Sequence, residues 1–165
     1  MKIMQSFLIA LLLITISAQA KSDPKNLELK KELLSKWKAY SKASQGAAKG
    51  ITDAELIKWM DDDKDFILVD VREPAEVAAG HILAMDFKAI PRGMVAPAIG
   101  KTAALKPDQT IVFYCKLGSR SAMAAKEAAE VFGYKNIYYL KGGIVGWVKN
   151  GHTVHNKMGT FKGAE

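Results

Sequence analysis

The chain has 165 residues, 49% hydrophobic and 25% charged, with a formal net charge of +7. That length and balance suit one globular domain with a core of ordinary size. Internal repeats and low-complexity tracts are absent, which excludes a repeat array, and the lone cysteine, Cys115, excludes an intrachain disulfide.

Residues 1–20 read as a secretory signal. Lys2 supplies a positive start, Phe7 to Ile16 is an apolar run interrupted only by Thr15, and Ala18-Gln19-Ala20 places small residues where a signal peptidase reads. The run is too short to cross a bilayer comfortably, since roughly 20 residues are needed. The expectation is export, to a periplasm or the outside, after cleavage following Ala20. No cysteine stands near that point, which argues against a lipoprotein. Export implies an oxidising compartment, where an unpaired thiol is either reactive or awaits an intermolecular bond.

Residues 21–50 form a basic extension, with eight lysines against Asp23, Glu28 and Glu32. Residues 51–165 are nearly neutral, with fifteen basic and fourteen acidic residues. Within the extension, 27–45 reads as an amphipathic helix. Leu29, Leu33, Trp37, Tyr40 and Ser44 recur at spacings of four and three, with lysines on the other face. The expectation is a helix that docks its stripe on the domain. A weak contact with an anionic membrane or a protein is the alternative; export argues against nucleic acid. Gln45 to Gly50 reads as a break.

The domain proper is expected over 51–154. Thr52 and Glu55 form a capping box for a helix over Asp53–Met60. Phe66 to Val69, ending at Asp70, suits a buried parallel strand. Pro74 to Ala79 fits a short helix with proline in its first turn. A second short strand is expected between His81 and Ile90. Pro97 and Gly100 argue against one continuous helix over 91–105. Thr110 to Tyr114 is the clearest strand. Ser119 to Phe132 is alanine-rich and helical, and Gly133 stops it. Ile137 to Leu140 is another strand, and Gly142-Gly143 turns into a short helix through Trp147. Residues 155–165 read as a C-terminal tail. Strands alternating with helices indicate an α/β domain with a mostly parallel sheet.

Cys115 follows the Thr110–Tyr114 strand and precedes the Ser119–Phe132 helix. Ligands of open α/β sheets bind at the carboxyl ends of strands, and a helix N-terminus there favours an anion. Lys116 and Arg120 add positive charge, and Gly118 lets the backbone curl without a Cβ clash. Such a loop can aim successive N–H groups at one centre. The residues describe a cysteine nucleophile in an anion-binding cradle, an environment that favours a thiolate.

Cys115-Lys116-Leu117-Gly118-Ser119-Arg120-Ser121 resembles the active-site loop of rhodanese domains. Asp70-Val71-Arg72-Glu73-Pro74-Ala75-Glu76, then Gly80-His81-Ile82, is similar to the family's earlier motif. Gly142-Gly143, Trp147 and Gly151 match its closing stretch. After Ile82 the chain departs from the family, carrying Leu83-Ala84-Met85-Asp86. The resemblance implies a five-stranded parallel sheet with helices on both faces, to which the N-terminal amphipathic helix is added. It implies a sulfurtransferase of the thiosulfate:cyanide type. Cys115 would take the outer sulfur of thiosulfate or a similar donor anion, release sulfite, and pass the sulfur to a thiol or cyanide. This is covalent catalysis without metal or organic cofactor.

By the same resemblance, the N–H groups from Lys116 through Leu117, Gly118, Ser119 and Arg120 to Ser121 cradle the persulfide and the donor's oxyanions. Lys116 and Arg120 attract the donor. Asp70, Arg72 and His81 support the site structurally, His81 as a packed, hydrogen-bonded residue rather than a base. His152 and His155 lack further ligands at metal spacing, so no zinc site is expected. Two rivals stand beside this reading. Phosphatases of the cysteine-loop type need five residues between cysteine and arginine, whereas four separate Cys115 from Arg120. A sensing or protein-binding module on the same fold is the other, since fold alone does not establish activity.

Overall fold

The computed structural model describes residues 24–162. The expected signal and its cleavage point lie outside these residues. Contacts divide the chain into two units, one ending at Tyr40 and one beginning at Ser41. Helix α1 (Pro24–Ala47) runs through the boundary, so the 27–45 helix is present and longer by a few residues at either end. Its part in the first unit carries exposed ion pairs at helical spacing, Lys31–Glu28 at 2.8 Å and Lys36–Glu32 at 2.6 Å. Each contributes only a few tenths of a kcal/mol, about 0.3–0.5. Leu29, Leu33, Trp37 and Tyr40 lie between 48% and 53% exposed. No helix among the described residues is long and apolar enough to cross a membrane.

The second unit holds the sheet. After the last turns of α1, in which Ser41 and Ser44 are buried, come β1 (Lys49–Ile51), α2 (Asp53–Asp61), β2 (Ile67–Asp70), α3 (Pro74–Ala79) and β3 (Phe87–Ala89). A 3-10 turn (Arg92–Met94), α4 (Val95–Gly100), β4 (Ile111–Tyr114), α5 (Ser119–Glu130), β5 (Ile137–Leu140) and α6 (Gly143–Lys149) follow. The five strands pair in the order β1-β5-β4-β2-β3, all parallel. The expected five-stranded parallel sheet flanked by helices is therefore present.

Side-chain alternation along the strands makes two cores. Ile67, Val69, Ile111, Phe113 and Ile137 pack with Val95, Ile99 and the α5 alanines on one face. Leu68, Val112, Tyr114 and Leu140 pack with Leu56, Ile144 and Trp147 on the other. Strands β2 and β4 are buried at every position, as strands covered on both faces must be. Ala122, Ala124, Ala125 and Ala128 are buried at no more than 1% exposure, and their small size lets α5 lie close on the sheet. The Thr52–Glu55 capping box forms as expected.

Two elements were not anticipated. Strand β1 occupies Lys49 and Gly50, which read as part of a break. It exists because β5 offers it a ladder, Lys49 opposite Tyr138 and Ile51 opposite Leu140, not because lysine and glycine favour strands. The presumed tail instead forms a hairpin, β6 (Thr153–Asn156) and β7 (Gly159–Lys162). Trp147 Nε1 donates to the Thr153 carbonyl at 2.7 Å, and His81 and His155 exchange backbone bonds at 2.9 Å. These contacts hold the hairpin to the unit.

Candidate active site

Strand β4 ends in a fully buried tyrosine and delivers Cys115, 1% exposed, to the carboxyl edge of the sheet. The loop then turns at Gly118, whose φ of +95° suits glycine, and Ser119 opens α5. The Gly118 N–H donates to Cys115 Sγ at 3.2 Å. Ser121 Oγ lies 3.5 Å from Sγ and 3.0 Å from the Gly118 carbonyl. Its single hydroxyl proton is shared between these two acceptors.

Three of the loop's carbonyls are held by backbone partners. Ile144 N–H donates to the Cys115 carbonyl at 2.8 Å and Val145 N–H to the Lys116 carbonyl at 3.1 Å, both from the start of α6. Ala122 N–H takes the Gly118 carbonyl at 2.9 Å. With these carbonyls engaged, the Gly118 N–H is left to bond the sulfur. Gly143 makes this close approach feasible, because a Cβ there would stand 2.4 Å from the Cys115 carbonyl oxygen.

Asp70 and Arg72 form a buried ion pair at the end of β2, the strand that pairs with β4. Arg72 Nε donates to both Asp70 oxygens at 2.9 and 3.0 Å, and Nη2 to Oδ2 at 2.6 Å. Burial opposes the Arg72 charge, but the Asp70 hydrogen bonds and carboxylate outweigh it and raise its pKa. The remaining donors reach the Gly80 carbonyl at 2.6 Å and the Glu76 carbonyl at 3.1 Å, which fixes α3 to the end of β2. Tyr114 Oη accepts the Ile82 N–H at 3.1 Å. Burial first, and then the Asp70 charge, push the Tyr114 hydroxyl well above its ordinary pKa, so it stays neutral. His81 stacks on Phe87, ring centroids 4.9 Å apart.

Of the residues singled out in the sequence, Cys115, Gly118 and Ser121 come together at the sulfur. Ser119 accepts a hydrogen bond from Gln45 Nε2 at 3.4 Å. Lys116 and Leu117 are exposed, with Leu117 at 59%. Arg120 is engaged by Glu76, Nη1 to Oε2 at 2.7 Å and Nη2 to Oε1 at 2.8 Å. The Arg120 hydrogen bonds, working against partial burial, hold the Glu76 carboxyl at about 2. Glu76 first, and then the neighbouring Cys115, raise the Arg120 pKa against partial burial. Glu76 lies in the Asp70–Glu76 motif with nothing local to mark its partner, and no local signal marks Gln45. The adjacent glycines at 142 and 143 were the available signal for the α6 contribution.

A family model described as "Rhodanese-like domain" matches residues 52–150. The chain is 41% identical over 105 residues to a probable adenylyltransferase/sulfurtransferase, MoeZ, of Mycobacterium tuberculosis. That match covers 62% of this chain and 26% of MoeZ, so the chain spans about a quarter of that relative's length. It is 32% identical over 101 residues to a sulfurtransferase of Allochromatium vinosum, covering 61% of this chain and 89% of that one. Among solved structures, the polysulfide-sulfur transferase homodimer of Wolinella succinogenes superposes with a TM-score of 0.64 at 28% identity, covering 77% of this chain and 92% of that chain. With its sheet order, its cysteine loop and these matches, the chain belongs to the rhodanese-like domain family.

Proposed function

We propose that the chain is a sulfurtransferase in which Cys115 carries a sulfane sulfur, as a persulfide, from thiosulfate or a similar donor to a thiophilic acceptor such as a thiol or cyanide. Sulfur transfer in general is what its sulfurtransferase relatives support. The observation that carries the finer reading is the convergence on Cys115 Sγ of the Gly118 N–H and the Ser121 hydroxyl, in a loop whose carbonyls are tied away. Such a cradle stabilises a terminal sulfur anion once it is formed. The thiolate attacks the donor's outer sulfur, the donor's sulfur–sulfur bond breaks, and the electron pair leaves on sulfite. A second thiophile then attacks the carried sulfur and restores the cysteine.

Intact mass spectrometry after thiosulfate treatment should show one added sulfur atom, removable by cyanide. Cys115→Ser should lose both the adduct and thiocyanate formation. Full turnover by that variant would refute the mechanism. From the signal-like pattern of residues 1–20 we also propose export, with cleavage following Ala20; a weak contact of residues 27–45 with an anionic membrane or a protein is the alternative to docking of that helix on the domain.

A further inference from the structure

The family model begins at residue 52, yet residues before it brace the Cys115 loop. Gln45, in the last turn of α1, reaches the loop's surroundings from two directions. Its side-chain Nε2 donates to Ser119 Oγ at 3.4 Å, and its backbone carbonyl accepts from Tyr139 Oη at 3.4 Å. Ser119 directly follows Gly118, whose N–H donates to Cys115 Sγ. The Tyr139 ring in turn covers Gly118, since a Cβ on Gly118 would stand 3.8 Å from Tyr139 Cε2. The contacts close on themselves, from Gln45 through Ser119, Gly118 and Tyr139 back to Gln45.

Gly50 makes room for this arrangement. It lies opposite Tyr139 in the β1–β5 ladder, and a Cβ there would stand 2.9 Å from Tyr139 Cε1 and Cζ. The ring thus spans the space between Gly50 and Gly118, and it is only 6% exposed. Burial raises the pKa of its hydroxyl, which therefore stays protonated as a donor. Both Gln45 bonds are long for their kind and contribute little to stability. Their effect is on position. Gly118 has no Cβ to restrict its own φ and ψ, so its neighbours must fix the direction of its N–H.

We propose that Gln45 and Tyr139 are positioning residues for sulfur loading. Together they hold Gly118 with its N–H on the Cys115 sulfur, which makes the end of α1 a working part of the site. The proposal rests on Cys115 acting as the sulfur carrier. Neither residue bonds the sulfur itself; each acts through Gly118 or Ser119.

The test uses the full chain with thiosulfate as donor. Rapid quench and intact mass give the maximal rate of Cys115 loading and the thiosulfate concentration at half that rate. Thermal melts give stability, and hydrogen exchange by NMR reads the Gly118 amide. Tyr139→Phe keeps the ring and removes the hydroxyl, while Gln45→Ala removes the side-chain donor. Each should lower the maximal loading rate about three- to tenfold and speed Gly118 exchange. The half-saturating concentration should stay within about twofold, because no contact to the donor is lost. The melting temperature should move by no more than about 2 °C. Gly50→Ala leaves both donors in place but displaces the ring, and should slow loading likewise. Tyr138→Phe removes a hydroxyl on the opposite face of β5, where Tyr138 packs against the other core, and should change none of these. Unchanged loading in both Tyr139→Phe and Gln45→Ala overturns the proposal, as does a loss that Tyr138→Phe reproduces or that follows melting temperature alone. If one variant does not fold, the remaining two decide. A wild type that does not load would refute the carrier role instead; Gly118 exchange, which needs no donor, then still decides the geometry, and exchange unaltered in the variants overturns it.

Discussion

Arg72 is 6% exposed, and its guanidinium bonds the Asp70 carboxylate and the Glu76 and Gly80 carbonyls. It ties Asp70 at the end of β2 to two carbonyls of α3 and its C-cap, and α3 presents Glu76 to Arg120. Asp70→Asn would leave the guanidinium buried with its countercharge removed, which costs about 3–5 kcal/mol. Chemical denaturation should show that loss, with the Cys115 loop failing with the fold and not separately. Glu76 has a different signature. Its folded pKa, about 2, lies below its ordinary value of 4.5. A depressed carboxyl contributes stability that is complete above the unfolded pKa and is lost as pH falls through the folded one. Stability should therefore drop between pH 4.5 and 2, and Glu76→Gln should flatten that limb of the curve. An unchanged acid limb in the variant would show that the ion pair contributes nothing to the fold. The Cys115 loop and the Asp70-to-Arg72 stretch were legible in the sequence because their chemistry is local. The Glu76 to Arg120 pairing was not, since 44 positions separate the partners and only the tertiary fold joins them.

At the scale of elements, the site is assembled by α5 and α6 together. Helix α5 brings Ser121 to the sulfur, while the start of α6 takes two loop carbonyls out of competition. Gly143 is where the two meet. Its φ is +57°, and an added Cβ would stand 2.4 Å from the Cys115 carbonyl oxygen and 2.8 Å from Lys116 backbone atoms. No flexible side chain can yield there, so Gly143→Ala must displace the loop. The expected outcome is a stability loss on the order of 1–3 kcal/mol and at least about tenfold slower persulfide formation. Calorimetry and mass spectrometry read the two effects separately. Normal loading by a stable Gly143→Ala protein would show that the carbonyl ties are dispensable. The helices and central strands were readable because long periodic or wholly apolar runs specify them. Strand β1 and the β6–β7 hairpin were not, because each is short and mixed in composition. What creates them is pairing: β1 with Tyr138 to Leu140, β6 with β7, and His155 with His81.

Charge is distributed unevenly over the whole molecule. Residues 21–50 carry eight lysines against three acidic residues, while 51–165 hold fifteen basic and fourteen acidic ones. The proposed chemistry draws on residues of the unit that begins at Ser41, and that unit includes the last turns of α1. Gln45 there donates to Ser119 and accepts from Tyr139 Oη at 3.4 Å, and Lys49 opens β1. A chain begun at Gly50 would remove the Gln45 contacts and the first residue of an edge strand, whereas one begun at Ser41 would keep them. We expect the Ser41 form to retain sulfur loading within about twofold and the Gly50 form to be measurably less stable. Residues before Ser41 bring Leu29, Leu33, Trp37 and Tyr40, each about half exposed, alongside most of the extension's lysines. An apolar face beside lysines binds an anionic bilayer by burial and by charge, and only the second contribution is screened by salt. Vesicles containing phosphatidylglycerol should therefore capture the chain with residues 21–40 present, blue-shift Trp37 emission, and release part of it at high salt. The Ser41 form should not bind. Equal binding by both forms would move the membrane contact to the sheet unit, and binding by neither would leave the stripe to docking on the domain or to a protein partner.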